Sequence, residues 1–116
     1  MKLRFHQNSL RLRLSQSEVA QLSEQGWVED RIEFPDGQVL TFGLESGESS
    51  SARLDEGSIR VIAPRPEIRH WIDSGEEGIE YESGPLKVAI EKDFQCLHKP
   101  APEDADTFPN PMMDKF

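Results

Sequence analysis

Ser9-Leu10-Arg11-Leu12-Arg13-Leu14-Ser15-Gln16-Ser17-Glu18 is the stretch whose reading decides the fold. From Ser9 to Leu14 polar and apolar residues alternate, the period-two signal of a strand half buried against a core. Ser15-Gln16-Ser17-Glu18 fits a capping box, with Ser15 placed to accept the Glu18 amide and Glu18 to reach back. Leu14 before the cap and Val19 after it have the spacing of a hydrophobic staple. Gly26 then supplies a left-handed stop. A strand therefore runs directly into a short helix.

The same order recurs 49 residues later. Residues 2–26 match residues 51–75 without a gap. Leu3-Arg4-Phe5 lies over Ala52-Arg53-Leu54, and Ser9-Leu10-Arg11-Leu12 over Ser58-Ile59-Arg60-Val61. Glu18-Val19, Leu22, Glu24 and Gly26 find Glu67-Ile68, Trp71, Asp73 and Gly75. After a short indel, Ile32-Glu33-Phe34 faces Ile79-Glu80-Tyr81, and Leu40, Phe42, Leu44 and Glu45 face Leu86, Val88, Ile90 and Glu91. Self-similarity of this kind is the mark of a duplicated chain.

Each half reads as strand, turn, strand, helix, strand, turn, strand. Lys2–Phe5 precedes the deciding stretch, joined to it by His6-Gln7-Asn8-Ser9; Asp55-Glu56-Gly57 makes the corresponding turn. The second helix begins at Ala63-Pro64-Arg65-Pro66, where proline is tolerated because a first-turn amide has no partner. Ile68, Trp71 and Ile72 form its buried stripe, and Gly75 is the expected stop. Pro35-Asp36-Gly37-Gln38 joins strands at Val28–Phe34 and Val39–Leu44; Ser83-Gly84-Pro85 joins Ile79–Tyr81 to Leu86–Ile90. Ser46-Gly47-Glu48-Ser49-Ser50-Ser51 has the composition of a flexible connector.

These readings predict an α+β fold: two ββαββ repeats, about eight mostly antiparallel strands in a curved or barrel-like sheet, and two short helices. The repeats span about 2–46 and 51–95 of a single domain, 1–97. A proline-rich tail, 98–116, follows, in which Pro100, Pro102, Pro109 and Pro111 exclude regular helix. Phe108, Met112, Met113 and Phe116 give that tail apolar anchors. Phe108, Pro109, Asn110 and Pro111 are expected to dock on the protein, with Asn110 in a turn.

The apolar phase assigns Leu3, Phe5, Leu10, Leu12, Leu14, Ile32, Phe34, Leu40 and Phe42, with their second-half partners, to the core. The opposite strand face then carries Arg4, Arg11, Arg13, Arg53 and Arg60, with Glu33, Glu80, Lys87 and Glu91. Arginine's planar fork suits phosphate or carboxylate, so these five are the candidate anion-binding residues. The competing reading is cross-strand ion pairing with Glu33 and Glu80 on a solvated face.

Other chemistry is thin. Of 116 residues, 13 are Lys or Arg and 22 are Asp or Glu, a formal charge of −9 that argues against nucleic acid as a partner. Asp73, Glu76, Glu77, Glu80 and Glu82 crowd together without the ligand spacing of a calcium loop. Cys96 and His98 are the one Cys/His cluster, short of the roughly four ligands that zinc takes. A single cysteine makes no internal disulfide, which points to a reducing cytoplasm. No apolar run is long enough to span a membrane, the opening residues lack a secretory signal, and no cofactor is implied.

Met1-Lys2-Leu3-Arg4, Asn8 to Leu14, Glu18-Val19, Glu91 to Leu97 and Phe108-Pro109-Asn110-Pro111 resemble an uncharacterised family of small acidic bacterial proteins. That resemblance covers nearly the whole chain and implies a bacterial cytoplasmic protein, with no activity to carry over. A barrel of such repeats is also similar to the triphosphate-tunnel architecture. Its Glu-x-Glu-x-Lys strand is replaced here by Lys2-Leu3-Arg4-Phe5-His6. The sequence favours a non-enzymatic binding or interaction module over an enzyme. The alternative is an anion- or phosphate-binding protein using the arginine face, and the partner is a protein, a small anion or a second copy in a homodimer.

Overall fold

A computed structural model of the chain describes residues 1–93. Cys96, His98, Phe108, Pro109, Asn110 and Pro111 lie outside the described residues. The order is β1 (Lys2–His6), β2 (Ser9–Leu14), α1 (Gln16–Gln25), β3 (Trp27–Glu33), β4 (Val39–Gly47), β5 (Ser51–Asp55), β6 (Ser58–Pro64), α2 (Arg65–Asp73), β7 (Gly78–Ser83) and β8 (Leu86–Lys92). This is the α+β alternation expected of two ββαββ units.

The strands do not close into a barrel. They form two four-stranded sheets, β1-β2-β8-β7 (sheet A) and β3-β4-β6-β5 (sheet B). Neither sheet belongs to one repeat. Sheet A joins the first hairpin of repeat one to the second hairpin of repeat two, and sheet B does the converse. Each helix is the bridge by which its repeat crosses from one sheet to the other. The hairpin pairs are antiparallel, while the central pairs β2·β8 and β4·β6 are parallel.

Register shows the two sheets to be copies. Leu10 and Leu12 stand opposite Val88 and Ile90, and their repeat partners Ile59 and Val61 stand opposite Phe42 and Leu44. The Lys87 amide donates to the Asn8 carbonyl at 3.1 Å, and the Thr41 amide to the Gly57 carbonyl at 3.0 Å. The register moves one element. Ile79 and Tyr81 pair with Ile90 and Val88, so β7 superposes on Val28 and Asp30 rather than on Ile32 and Phe34. The sequence alignment is off there by four residues, a slip that keeps the apolar phase and so leaves no trace in the pattern.

Local chemistry explains the element ends. Ser15 caps α1 through a complete capping box, and Gly26 closes it with φ 84°. α2 enters through Pro64 and ends on extended Ser74, whose amide donates to the His70 carbonyl. Gly75 is therefore not a left-handed stop. Glu56 and Gly57 take φ 42° and 80°, as a tight hairpin turn requires. β4 runs on through Ser46 and Gly47, paired with Ala63 and Pro64, so only 48–50 remain as connector.

One apolar cluster gathers the inner faces of both sheets and the inner stripes of both helices. Leu10, Leu12, Leu14, Val88 and Ile90 come from sheet A, and Val28, Phe42, Leu44, Ile59, Val61 and Ala63 from sheet B. Leu22, Ile68 and Trp71 come from the helices. Trp71 is fully buried, with its indole N–H donating to the Glu77 carbonyl at 3.1 Å. Burial of each such side chain contributes about 1.5–3 kcal/mol.

Four residues expected in the core are outside it. Phe5, Ile32, Phe34 and Leu54 are 59, 46, 50 and 72% exposed. Their alternation is right, since Phe5 and Leu54 share rows with buried Leu10 and Ile59. They sit toward the hairpin tips, beyond the rows whose inward side chains are buried.

Candidate functional site: the arginine faces of the two sheets

The outer face of each sheet carries the same row. Across sheet A it reads Arg4, Arg11, Ala89, Glu80; across sheet B it reads Arg53, Arg60, Gly43, Glu29. The four repeat-related arginines are therefore split into two pairs on two sheets rather than gathered in one concavity. Within a pair the guanidinium-bearing residues stand directly opposite each other, Arg4 with Arg11 and Arg53 with Arg60. Like charges so placed destabilise a strand pair. Both repeats keep that arrangement.

The arginines do pair with carboxylates, though not with Glu33 or Glu80. Glu91 is held between two of them, with Arg11 Nε 3.5 Å from Oε2 and Arg13 Nε 3.1 Å from Oε1. In sheet B, Arg60 Nη1 lies 3.4 Å from Glu45, the repeat partner of Glu91. Glu33 pairs along its own strand with Arg31 at 3.1 Å. The Arg4 and Arg53 side chains are exposed and make no hydrogen bond or ion pair among the described residues. These carboxylate partners were missed because they lie one strand beyond the hairpin, across a parallel pairing that spacing alone does not reveal.

Sheet A is the more basic copy. Around Arg4, Arg11 and Arg13 stand Lys2, His6 and Lys87, where sheet B has Ser51, Asp55 and Thr41; Ile62 replaces Arg13. Lys2 is bound to Asp93 at 3.0 Å. A concavity of about 170 Å³ is lined by Arg4, His6, Ser9 and Arg11. The Ser9 hydroxyl donates to the His6 carbonyl at 2.5 Å and so fixes this end of the hairpin. Arg4, Arg11 and Arg13 cluster on the β1–β2 side of this face, while the carboxylates Glu80 and Glu82 stand on its β7 side.

The sheet corners also repeat, with different chemistry. At the β1–β3 corner the Met1 α-ammonium donates to Glu18 at 2.5 Å and Asp30 at 3.2 Å. Burial works against the ammonium, but the hydrogen bonds and charges of those carboxylates raise its pKa. Glu18 is likewise disfavoured by burial, and its pKa is nonetheless lowered by the ammonium and by Ser15. The Arg31 amide is the first cause lowering Asp30, ahead of the ammonium and against slight burial. At the β5–β7 corner, Tyr81 stands where Asp30 does. Its hydroxyl lies 2.9 Å from the Ser51 carbonyl oxygen and 2.8 Å from that of Ile62, with its proton directed to them. Burial, then Glu67, pushes Tyr81 up to about 12.

Among the described residues no three His, Cys, Asp or Glu side chains come together to hold a metal ion. Asp73, Glu76, Glu77, Glu80 and Glu82 do not converge; His70 contacts Glu76 at 3.2 Å. No helix among the described residues is long and apolar enough to cross a membrane. Trp27 is half exposed on the outer face of sheet B, where Gly78 holds the equivalent position in sheet A.

The fold and its faces define a class: an α+β protein of two ββαββ-like units whose hairpins combine into two four-stranded sheets, with an arginine pair on each outer face. The family described as a family of unknown function, DUF7009, matches residues 1–112. The chain belongs to that family. No curated protein and no solved structure matches it.

Proposed function

We propose that the protein is a binding module that recognises a small anion, a phosphate or carboxylate group, on the outer face of sheet A between Arg4 and Arg11. The observation that carries this reading is the direct cross-strand pairing of Arg4 with Arg11 over a concavity that His6 and Ser9 complete. Two guanidinium groups in register repel one another, and an anion between them turns that repulsion into two charge-assisted hydrogen-bonding partners. Arg13 supports the site by sharing Glu91, so that the carboxylate does not belong to Arg11 alone. Nucleophilic or acid–base machinery forms no part of this reading.

The test is thermal denaturation with inorganic phosphate and pyrophosphate at fixed ionic strength. Ligand well above its Kd is expected to raise the melting temperature by at least about 4 °C, through linkage to the folded state. Arg4→Ala loses the rise and Arg53→Ala keeps most of it. A melting temperature indifferent to both anions contradicts the reading.

A further inference from the structure

Sheet B lacks the basic surroundings that sheet A gives its arginine pair and carries an exposed aromatic ring instead. A concavity of about 320 Å³ on its outer face is lined by Trp27, Glu29, Gly43, Glu45 and Arg60. Trp27 opens β3, and its backbone is fixed on both sides: Gly26 accepts from the Ser46 amide at 2.9 Å, and Gln21 donates to the Trp27 carbonyl at 3.5 Å. The ring is 49% exposed, an unusual surface for the largest side chain in a chain this polar.

Trp27 and Glu29 are two residues apart on one strand and so stand side by side on one face. Glu45 is registered opposite Trp27, and Gly43 opposite Glu29. Gly43 lacks a side chain because a Cβ would come 2.7 Å from the Val28 carbonyl oxygen. Its bare backbone leaves the row low between Glu29 and Arg60, with Trp27 beside Glu29 and the Arg60 guanidinium drawn to Glu45 at 3.4 Å. Glu45 is engaged by Arg60, whereas the Glu29 carboxylate makes no hydrogen bond or ion pair among the described residues. An indole face beside an available carboxylate is the arrangement that attracts a large, weakly hydrated organic cation.

We propose that this face binds an alkylammonium group, held between the Trp27 ring and the Glu29 carboxylate above Gly43. The group is carried either by a free small molecule or by a lysine-type side chain of a peptide. The site is separate from the anion seat on sheet A and does not depend on it.

Nuclear magnetic resonance of the full chain tests this through its two indole N–H signals. Trp27 is half exposed and Trp71 is fully buried, so each signal reports on a different environment. The probes are choline chloride and the Nα-acetyl amide of trimethyllysine. The controls are sodium chloride and the uncharged choline isostere 3,3-dimethylbutanol. A saturable shift of the Trp27 signal with both cations is expected, while Trp71 stays fixed. Glu29→Gln weakens binding by roughly three- to tenfold, and Trp27→Leu removes it; both positions are exposed enough to keep the fold. Tighter binding of choline assigns the ammonium to a free molecule, and tighter binding of trimethyllysine assigns it to a peptide. Equal shifts with dimethylbutanol or sodium chloride, or a Glu29→Gln variant with unchanged affinity, overturn the proposal.

Discussion

Sheets A and B follow the same four-strand plan and share one core, yet their outer faces differ in opposite senses. Both keep the row of two arginines, a small residue and a glutamate. Around it sheet A has Lys2, Arg13 and Lys87, and sheet B has Ser51, Ile62 and Thr41. The difference teaches that a shared plan constrains the two surfaces of a sheet unequally. Inner positions are shared by both repeats through one apolar cluster, so a change on one side is felt by the other. Outer positions answer only to local neighbours, and there one sheet carries extra basic residues and the other an exposed tryptophan.

The comparison breaks first, and hardest, in the core. Trp71 and Leu22 are repeat partners, both buried. Trp71→Ala is expected to cost about 3–5 kcal/mol and Leu22→Ala about 2–5 kcal/mol in denaturant unfolding. Loss of one transition for both sheets, rather than separate melting of each, shows that the swapped repeats fold as one unit.

Gly43 and Ala89 sharpen it next, because they occupy the same position in the two sheets. Gly43→Ala drives a Cβ toward the Val28 carbonyl and is expected to cost about 1–3 kcal/mol. Ala89→Gly loses only strand entropy and packing, about 0.5–1 kcal/mol. Equal costs for the two exchanges would contradict the close approach of β3 to β4.

The two corners separate by pH. Tyr81 has a raised pKa, so its contribution is complete below the ordinary phenol value near 10 and is lost as pH rises toward about 12. Asp30 and Glu18 have lowered values, so theirs is present above the usual carboxylate range and lost as pH falls through it. The Met1 ammonium, raised from 8.0, holds its contribution below that pH and loses it in alkali. Melting temperature against pH is expected to lose its alkaline dependence partly in Tyr81→Phe and its acid dependence partly in Asp30→Asn. Tyr81→Phe also costs about 1–2 kcal/mol at neutral pH, since the one hydroxyl proton that the Ser51 and Ile62 carbonyls share is lost. Asp30→Asn, being half exposed, costs about 1 kcal/mol or less.

The elements were legible in the sequence because each carries its own local signal. Alternation marks β2 and β6, the Ser15–Glu18 box marks α1, and Pro64 with Pro66 marks α2. The partition into two sheets was not legible. It depends on β2 choosing β8 and β4 choosing β6, and both choices satisfy the same apolar phase that a single curved sheet would satisfy. The same blindness hid the Glu91 clamp on Arg11 and Arg13. It also placed Phe5 and Leu54 in the core, because period two reports which face a residue takes and not whether anything covers it. The arginine candidates were legible as a face, but their division into two pairs had to wait for the topology.

The smallest stability effect is also the most pointed. Arg4→Ala removes one of two opposed guanidinium groups, and without anion it is expected to raise stability by about 0.2–1 kcal/mol in denaturant unfolding. With phosphate present the order reverses, because the wild-type chain alone gains ligand linkage.

The central claim is that the arginine pair of sheet A, and not its copy on sheet B, is an anion seat. Titration of inorganic phosphate into the full chain, followed by backbone amide resonances at fixed ionic strength, tests it most directly. The account predicts saturable shifts at Arg4, His6, Ser9 and Arg11, with those of Arg53 and Arg60 small and unsaturated. Shifts of equal size and affinity on both sheets, or none that saturate, would contradict it.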